Sequence, residues 1–181
     1  NVRLFEQNEA LLKLLEDHRN DLKPSHQVYF DRSIQNINEQ GERIPQIYGC
    51  PKIHKEGKTS NRPVISSVGS IPQIYSKYAD FWMKKIVQAL LPSYVKNADQ
   101  IDKLKDKFNR KIPPGCRLFS IDAISMYSNI DTVHGLQVIH DFFERFRDKL
   151  PPGIPCKFIE KSLKIIMTQN VFQFGNTLRL Q

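Results

Sequence analysis

"YGCPKIHKEGKTSNRPVISSVGS", residues 48–70, carries four cations, Lys52, Lys55, Lys58 and Arg62, around a short glycine-containing loop and then turns into the apolar run Val64 to Val68. On its other side, Ile44 to Tyr48 is a second short run of β-prone residues. Two such runs flanking a polar loop predict a hairpin with a long charged tip. Pro45, Pro51 and Pro63 fit that hairpin only where no ladder hydrogen bond is needed, as on edge strands. A basic tip of this kind is either a solvated turn or a device that reaches for a polyanion, and the residues alone leave both open.

The rest of the composition bears on that choice. The chain has 181 residues, enough for one full core or for part of a larger domain, and a net charge of +8 with 25% charged residues. Such a balance makes nucleic acid the leading partner class. Apolar runs are broken by Lys, Gln or Pro well before the ~18 residues of a membrane span, and no signal-peptide pattern opens the sequence. An intracellular, nuclear protein without a membrane partner is expected. Cys50, Cys116 and Cys156 are odd in number and far apart. They support neither a disulfide framework nor a zinc site and read as reduced thiols. The chain starts at Asn1 without an initiator methionine and stops at Gln181 directly after an apparent strand, which suggests a piece of a longer polypeptide.

Working outward from the hairpin, helical periodicity is written on both sides. Leu4, Leu11, Leu12, Leu14 and Leu15 form one helical pattern, and Val28, Phe30, Ile34 and Ile37 a second between Pro24 and Gly41. Downstream, Ile74, Tyr78, Phe81, Trp82, Ile86 and Leu90 predict a long helix over 71–91, with Pro72 in its first turn and Pro92 as its stop. Asn97 is placed to cap a helix carrying Ile101, Leu104 and Phe108, with Gln100 as its capping-box partner. Arg117 to Ile121 reads as a buried strand. Helices come next over 132–147 and 157–167, and Val171–Phe174 and Thr177–Leu180 form a hairpin about a Gly-Asn turn. Trp82, Phe142 and Phe172 fall within apolar periods, so they are core candidates rather than base-stacking platforms.

"LFSIDAISMYSNI", residues 118–130, is the other informative stretch, because Asp122 arrives where an apolar strand should be ending. An aspartate there either caps the following turn or holds a metal ion against a substrate phosphate, and read from the stretch alone the cap is the favoured role, since capping is the commonest job of such an aspartate. Tyr127 is in the same position: a core aromatic by spacing alone.

Three stretches in order, "YGCPKIHK" followed by "RPVISSVGS", then "FSIDAISMYSNI", then "FQFGNTLRLQ", resemble the reverse transcriptases, most closely those of Penelope-like retroelements. The resemblance spans roughly Tyr48 to Gln181, about three quarters of the chain, and the combination is specific where each motif alone is weak. It implies an α/β (α+β) fold: helix-rich fingers of a right-hand polymerase with a β-hairpin over residues 1–112, and the first part of an antiparallel palm sheet over 113–181. It further implies an RNA-directed DNA polymerase that takes an RNA template, a DNA primer and deoxynucleoside triphosphates, with two Mg²⁺ ions as cofactor. Lys52, Lys55 and Arg62 match the cations that meet the incoming triphosphate, a role for which the Arg62 guanidinium offers a fork that lysine lacks. Asp122 and the carbonyl of Ala123 match the first catalytic aspartate and its metal-coordinating neighbour. Tyr127 matches the aromatic under the sugar that excludes a 2′ hydroxyl. Gln181 matches the start of the template-gripping segment.

The chain also departs from the family pattern. The YxDD motif that supplies the remaining carboxylates does not occur in these residues, so the 181-residue chain by itself is expected to be inactive. Asp131 stands where proline is common and suits a helix cap. From a different class, a noncatalytic module that holds RNA or an RNA–DNA hybrid on the same basic hairpin is the alternative. An unrelated phosphoryl-transfer enzyme would need a P-loop or kinase signature, and neither is present.

Overall fold

The computed structural model describes residues 2–52, 60–91, 93–101, 114–117, 119–123 and 126–180; of Lys52 and Tyr127 only the backbone is described. Helix α1, Val2–Asp17, buries Leu4, Leu11, Leu14 and Leu15 along one stripe, the outcome of a 3.6-residue repeat. Helix α2, Pro24–Gln40, starts with proline in its first turn, where the missing N–H costs nothing, and ends at Gly41, whose φ of 80° a glycine adopts freely. Helix α3, Ile71–Leu90, buries Ile71, Ile74, Tyr75, Tyr78, Ala79, Trp82 and Ile86. After the four-residue α4, Met126–Asn129, comes α5, Thr132–Arg145, which is capped as its sequence suggests: the Asp131 side chain accepts a hydrogen bond from His134 N. Helix α6 is Cys156–Thr168.

Four strands form one mixed sheet in the order β2-β1-β3-β4, with β1 Gln46–Lys52, β2 Ser60–Ser66, β3 Val171–Phe174 and β4 Thr177–Leu180. β1 and β2 are antiparallel throughout, and β3 and β4 form the second hairpin about Gly175 at φ 58°. The two hairpins are joined by a short parallel contact at Gln46 and Gln173, reinforced by Gln173 N donating to the Pro45 carbonyl at 2.7 Å. A mixed architecture of helices and one sheet is thus in place. Among the described residues no helix is long and apolar enough to cross a membrane.

Four helices close over a core of rings. Phe158 of α6 enters between Phe30 of α2 and Tyr75 and Tyr78 of α3, with ring centroids 5.4, 6.0 and 5.8 Å away. Tyr75 is fully buried, and its hydroxyl is satisfied by the Leu11 carbonyl of α1 at 2.7 Å. Trp82 is buried and Phe142 half-buried against this cluster, while Phe172 is half-buried on β3.

Three expectations are corrected or bounded. The buried strand expected over Arg117 to Ile121 is not formed: Arg117 and residues 119–121 have no regular structure, and Phe119 and Ile121 are 83% and 84% exposed. The physical reason is that a strand exists through its ladder, and no described strand pairs with this segment. The first hairpin's strands run further into the charged stretch than expected, reaching Lys52 and Ser60. The helix expected after Asn97 is seen only in its first turn, residues 99–101, where the Gln100 side chain accepts from Lys96 N at 2.8 Å rather than from Asn97; residues 102–113 lie outside those described.

Candidate functional site

The basic hairpin is held at its base by contacts that the local sequence provides. Arg43 N donates to the Gly69 carbonyl at 2.9 Å, closing the chain where it enters β1 and leaves β2. One Glu42 oxygen, Oε1, accepts from Asn8 Nδ2 of α1 at 2.8 Å and from Ile71 N at the start of α3 at 3.3 Å. A carboxylate at a helix N-terminus meets both unpaired N–H groups and the positive end of the helix dipole. On the other side Gly69 N donates to Gln73 Oε1 at 3.1 Å, and Ser70 Oγ to the Ser67 carbonyl at 2.7 Å. These bonds fix the root of the hairpin to α1 and α3. Sequence reasoning missed Glu42 and Gln73; an acid just ahead of a strand and a glutamine in the first turn of the following helix were the available signals.

Beyond that root the strand residues whose side chains are described are exposed or half-buried, and none of them belongs to the buried core. Its register pairs Cys50 with Arg62 and Lys52 with Ser60, so the period of two puts the Lys52 and Arg62 positions on one face in neighbouring same-face pairs. Arg62 is exposed. Pro63 pairs with Gly49 and Pro51 with Asn61, two positions apart, so both prolines occupy the same class of pair. The class without reciprocal hydrogen bonds is the one that proline tolerates, which is how two prolines fit a single ladder. Of the expected triphosphate contacts, the register therefore gathers Lys52 and Arg62, while Lys55 lies outside the described residues.

Asp122 and Ala123 lie on the exposed irregular segment that succeeds residues 119–121. Asp122 makes no hydrogen bond or ion pair with Arg62, and no three His, Cys, Asp or Glu residues gather into a metal-holding group among the described residues. The Asp122 carboxylate and the Ala123 carbonyl are hard oxygen donors of the type Mg²⁺ takes. One carboxylate with one carbonyl is nevertheless too small a donor set for two ions, so these residues do not by themselves fit the pair of metals. Tyr127 falls in the short helix α4, four residues beyond Ala123 in the sequence, and Gln181 lies outside the described residues. What the arrangement offers chemically is a rigidly rooted cationic hairpin and, separately, an accessible carboxylate.

No family model, curated protein or solved structure matches the chain.

Proposed function

We propose that the chain forms the fingers and the first part of the palm of a reverse transcriptase, an RNA-directed DNA polymerase. The observation that carries this reading is the ordered set of motifs in the sequence, PKIHK and then RP, then the Asp122 stretch, then FQFGNTLRLQ. The hairpin supports it physically: a triphosphate is well met by cations on an element that is fixed at its root, and Arg62 adds bidentate geometry. In this proposal Arg62 and the lysines bind and orient the nucleotide, Tyr127 screens the sugar, and Asp122 is indispensable to nucleotide addition. The remaining carboxylates of the centre belong to a YxDD segment outside these 181 residues, so activity is assigned to a polypeptide that includes it.

The experiment is a pair of substitutions in that longer polypeptide, read by nucleotide addition and by hybrid binding. Asp122→Ala should abolish addition, by at least about a thousandfold, while leaving binding of an RNA–DNA hybrid within about twofold. Arg62→Ala should chiefly raise the KM for the deoxynucleotide. Undiminished addition by Asp122→Ala would remove that residue from the chemistry. Tight, salt-dependent hybrid binding with no addition by any variant would favour the noncatalytic module instead.

A further inference from the structure

Where the end of α1 meets α6, away from both motifs, three titratable side chains stand in line. His18 Nδ1 lies 2.8 Å from Asp21 Oδ2, and His18 Nε2 lies 2.9 Å from Lys161 Nζ. A carboxylate only accepts, so Nδ1 carries the ring proton and the Nε2 lone pair faces the amine. The imidazole is held in place: its side chain is only 12% exposed, and the ring stands edge-on to the core residue Phe158 at 6.2 Å. Lys161 itself is exposed on α6. A dissolved reagent can therefore reach the amine while a fixed base sits behind it.

Other described lysines with a partner lack such a base. Lys84 donates to Asp80 at 2.7 Å, Lys23 to the Pro152 carbonyl at 3.3 Å, and Lys85 lies over the Phe81 ring at 4.2 Å. A carboxylate, a carbonyl or a ring face is a poor proton acceptor near neutral pH, whereas a neutral imidazole is a competent one. The arrangement of nucleophile, base and orienting carboxylate is the general form of an activated nucleophile.

We propose that Lys161 is a site of Nε-acylation by activated acyl donors, thioesters or acyl phosphates, with His18 as the proton acceptor and Asp21 as the group that orients it. The neutral Nζ attacks the acyl carbonyl carbon; the N–C bond forms as the carbonyl π pair moves onto oxygen. His18 Nε2 takes the proton that the nitrogen sheds. The carbonyl then re-forms and the C–S or C–O bond to the leaving group breaks, so that thiolate or phosphate departs with the bonding pair. The product is an amide at Lys161 and an imidazolium that returns its proton to solvent. Acylation removes one charge from the exposed lysine face that Lys157, Lys161 and Lys164 form on α6.

The test is incubation of the intact 181-residue chain with acetyl phosphate and, separately, with S-acetyl-N-acetylcysteamine, with mass-spectrometric rates then measured at Lys161, Lys157 and Lys164. The two other lysines of the same helix are internal references, so a partly destabilised variant still gives a readable ratio. Lys161 should react about tenfold faster than Lys164, a modest share of the general-base effect seen in organised sites. His18→Gln should bring the ratio to about one. An advantage with only one donor supports the proposal for that donor class. Equal rates in the wild type with both donors, or an advantage that survives His18→Gln, would overturn it.

Discussion

Phe158 meets four rings, His18, Phe30, Tyr75 and Tyr78, within about 6 Å and is fully inaccessible to solvent. Truncation to alanine leaves a cavity that helices from three directions cannot all close, so Phe158→Ala should cost about 3–5 kcal/mol in chemical denaturation. His26 governs a different property. Its Nδ1 is 2.9 Å from the Tyr78 hydroxyl, its ring is edge-on to Tyr78 and Trp82, and burial first, then Lys23 and Lys85, hold its pKa below the ordinary 6.5. The unfolded chain therefore binds this proton more readily than the folded one, so stability is complete above about pH 6.5 and is lost as pH falls from there towards the folded value. Thermal unfolding at pH 5.5 should begin at a lower temperature than at pH 7.5, and His26→Gln should narrow that gap by a few degrees; an unchanged gap would clear His26 of the effect. Residue types announced Phe158 and Trp82 as core, because both fall in helical periods. Nothing local announced His18, Asp21 and Lys161 as a group, since Lys161 comes from 143 positions further along the chain.

Elements were legible in proportion to how local their determinants are. The period of 3.6, Pro24 in a first turn, Gly41 at a helix end and Asp131 at a cap are all read within one or two turns, and each is where the sequence suggests. The Gly-Asn turn between β3 and β4 is equally local. By contrast the stretch 117–121 has strand composition, but Arg117 and residues 119–121 have no ladder, because pairing is decided by segments far away in the sequence. The root of the first hairpin lies between these cases. Gly69 has φ +81°, and a Cβ there would lie 3.0 Å from Arg43 Cδ. Gly69→Ala should therefore cost about 1–2 kcal/mol and speed amide exchange in β1 and β2 ahead of the helices. Uniform exchange across both would mean that the root is not the hairpin's anchor.

At the scale of the molecule, the N-terminal helices, α3 and the C-terminal helix share one core, while the basic hairpin and the C-terminal hairpin share one sheet. That sharing was not legible, because the parallel contact of β1 with β3 joins residues 46 and 173. It bears on function by tying the root of the cationic hairpin to the segment that carries FQFGNTLRLQ. The candidate site was legible as motifs and only partly as geometry: the hairpin register puts the Lys52 and Arg62 positions on one face, whereas Asp122 stands on an exposed segment and belongs to no metal-holding group of three among the described residues. The most direct measurement of the proposed polymerase is primer extension on an RNA template with Mg²⁺ and deoxynucleotides, run on the 181-residue chain and on a polypeptide that continues through a YxDD segment. Extension by the longer polypeptide alone is the expected result. Failure of both to extend, while an RNA–DNA hybrid is still bound tightly, would contradict it.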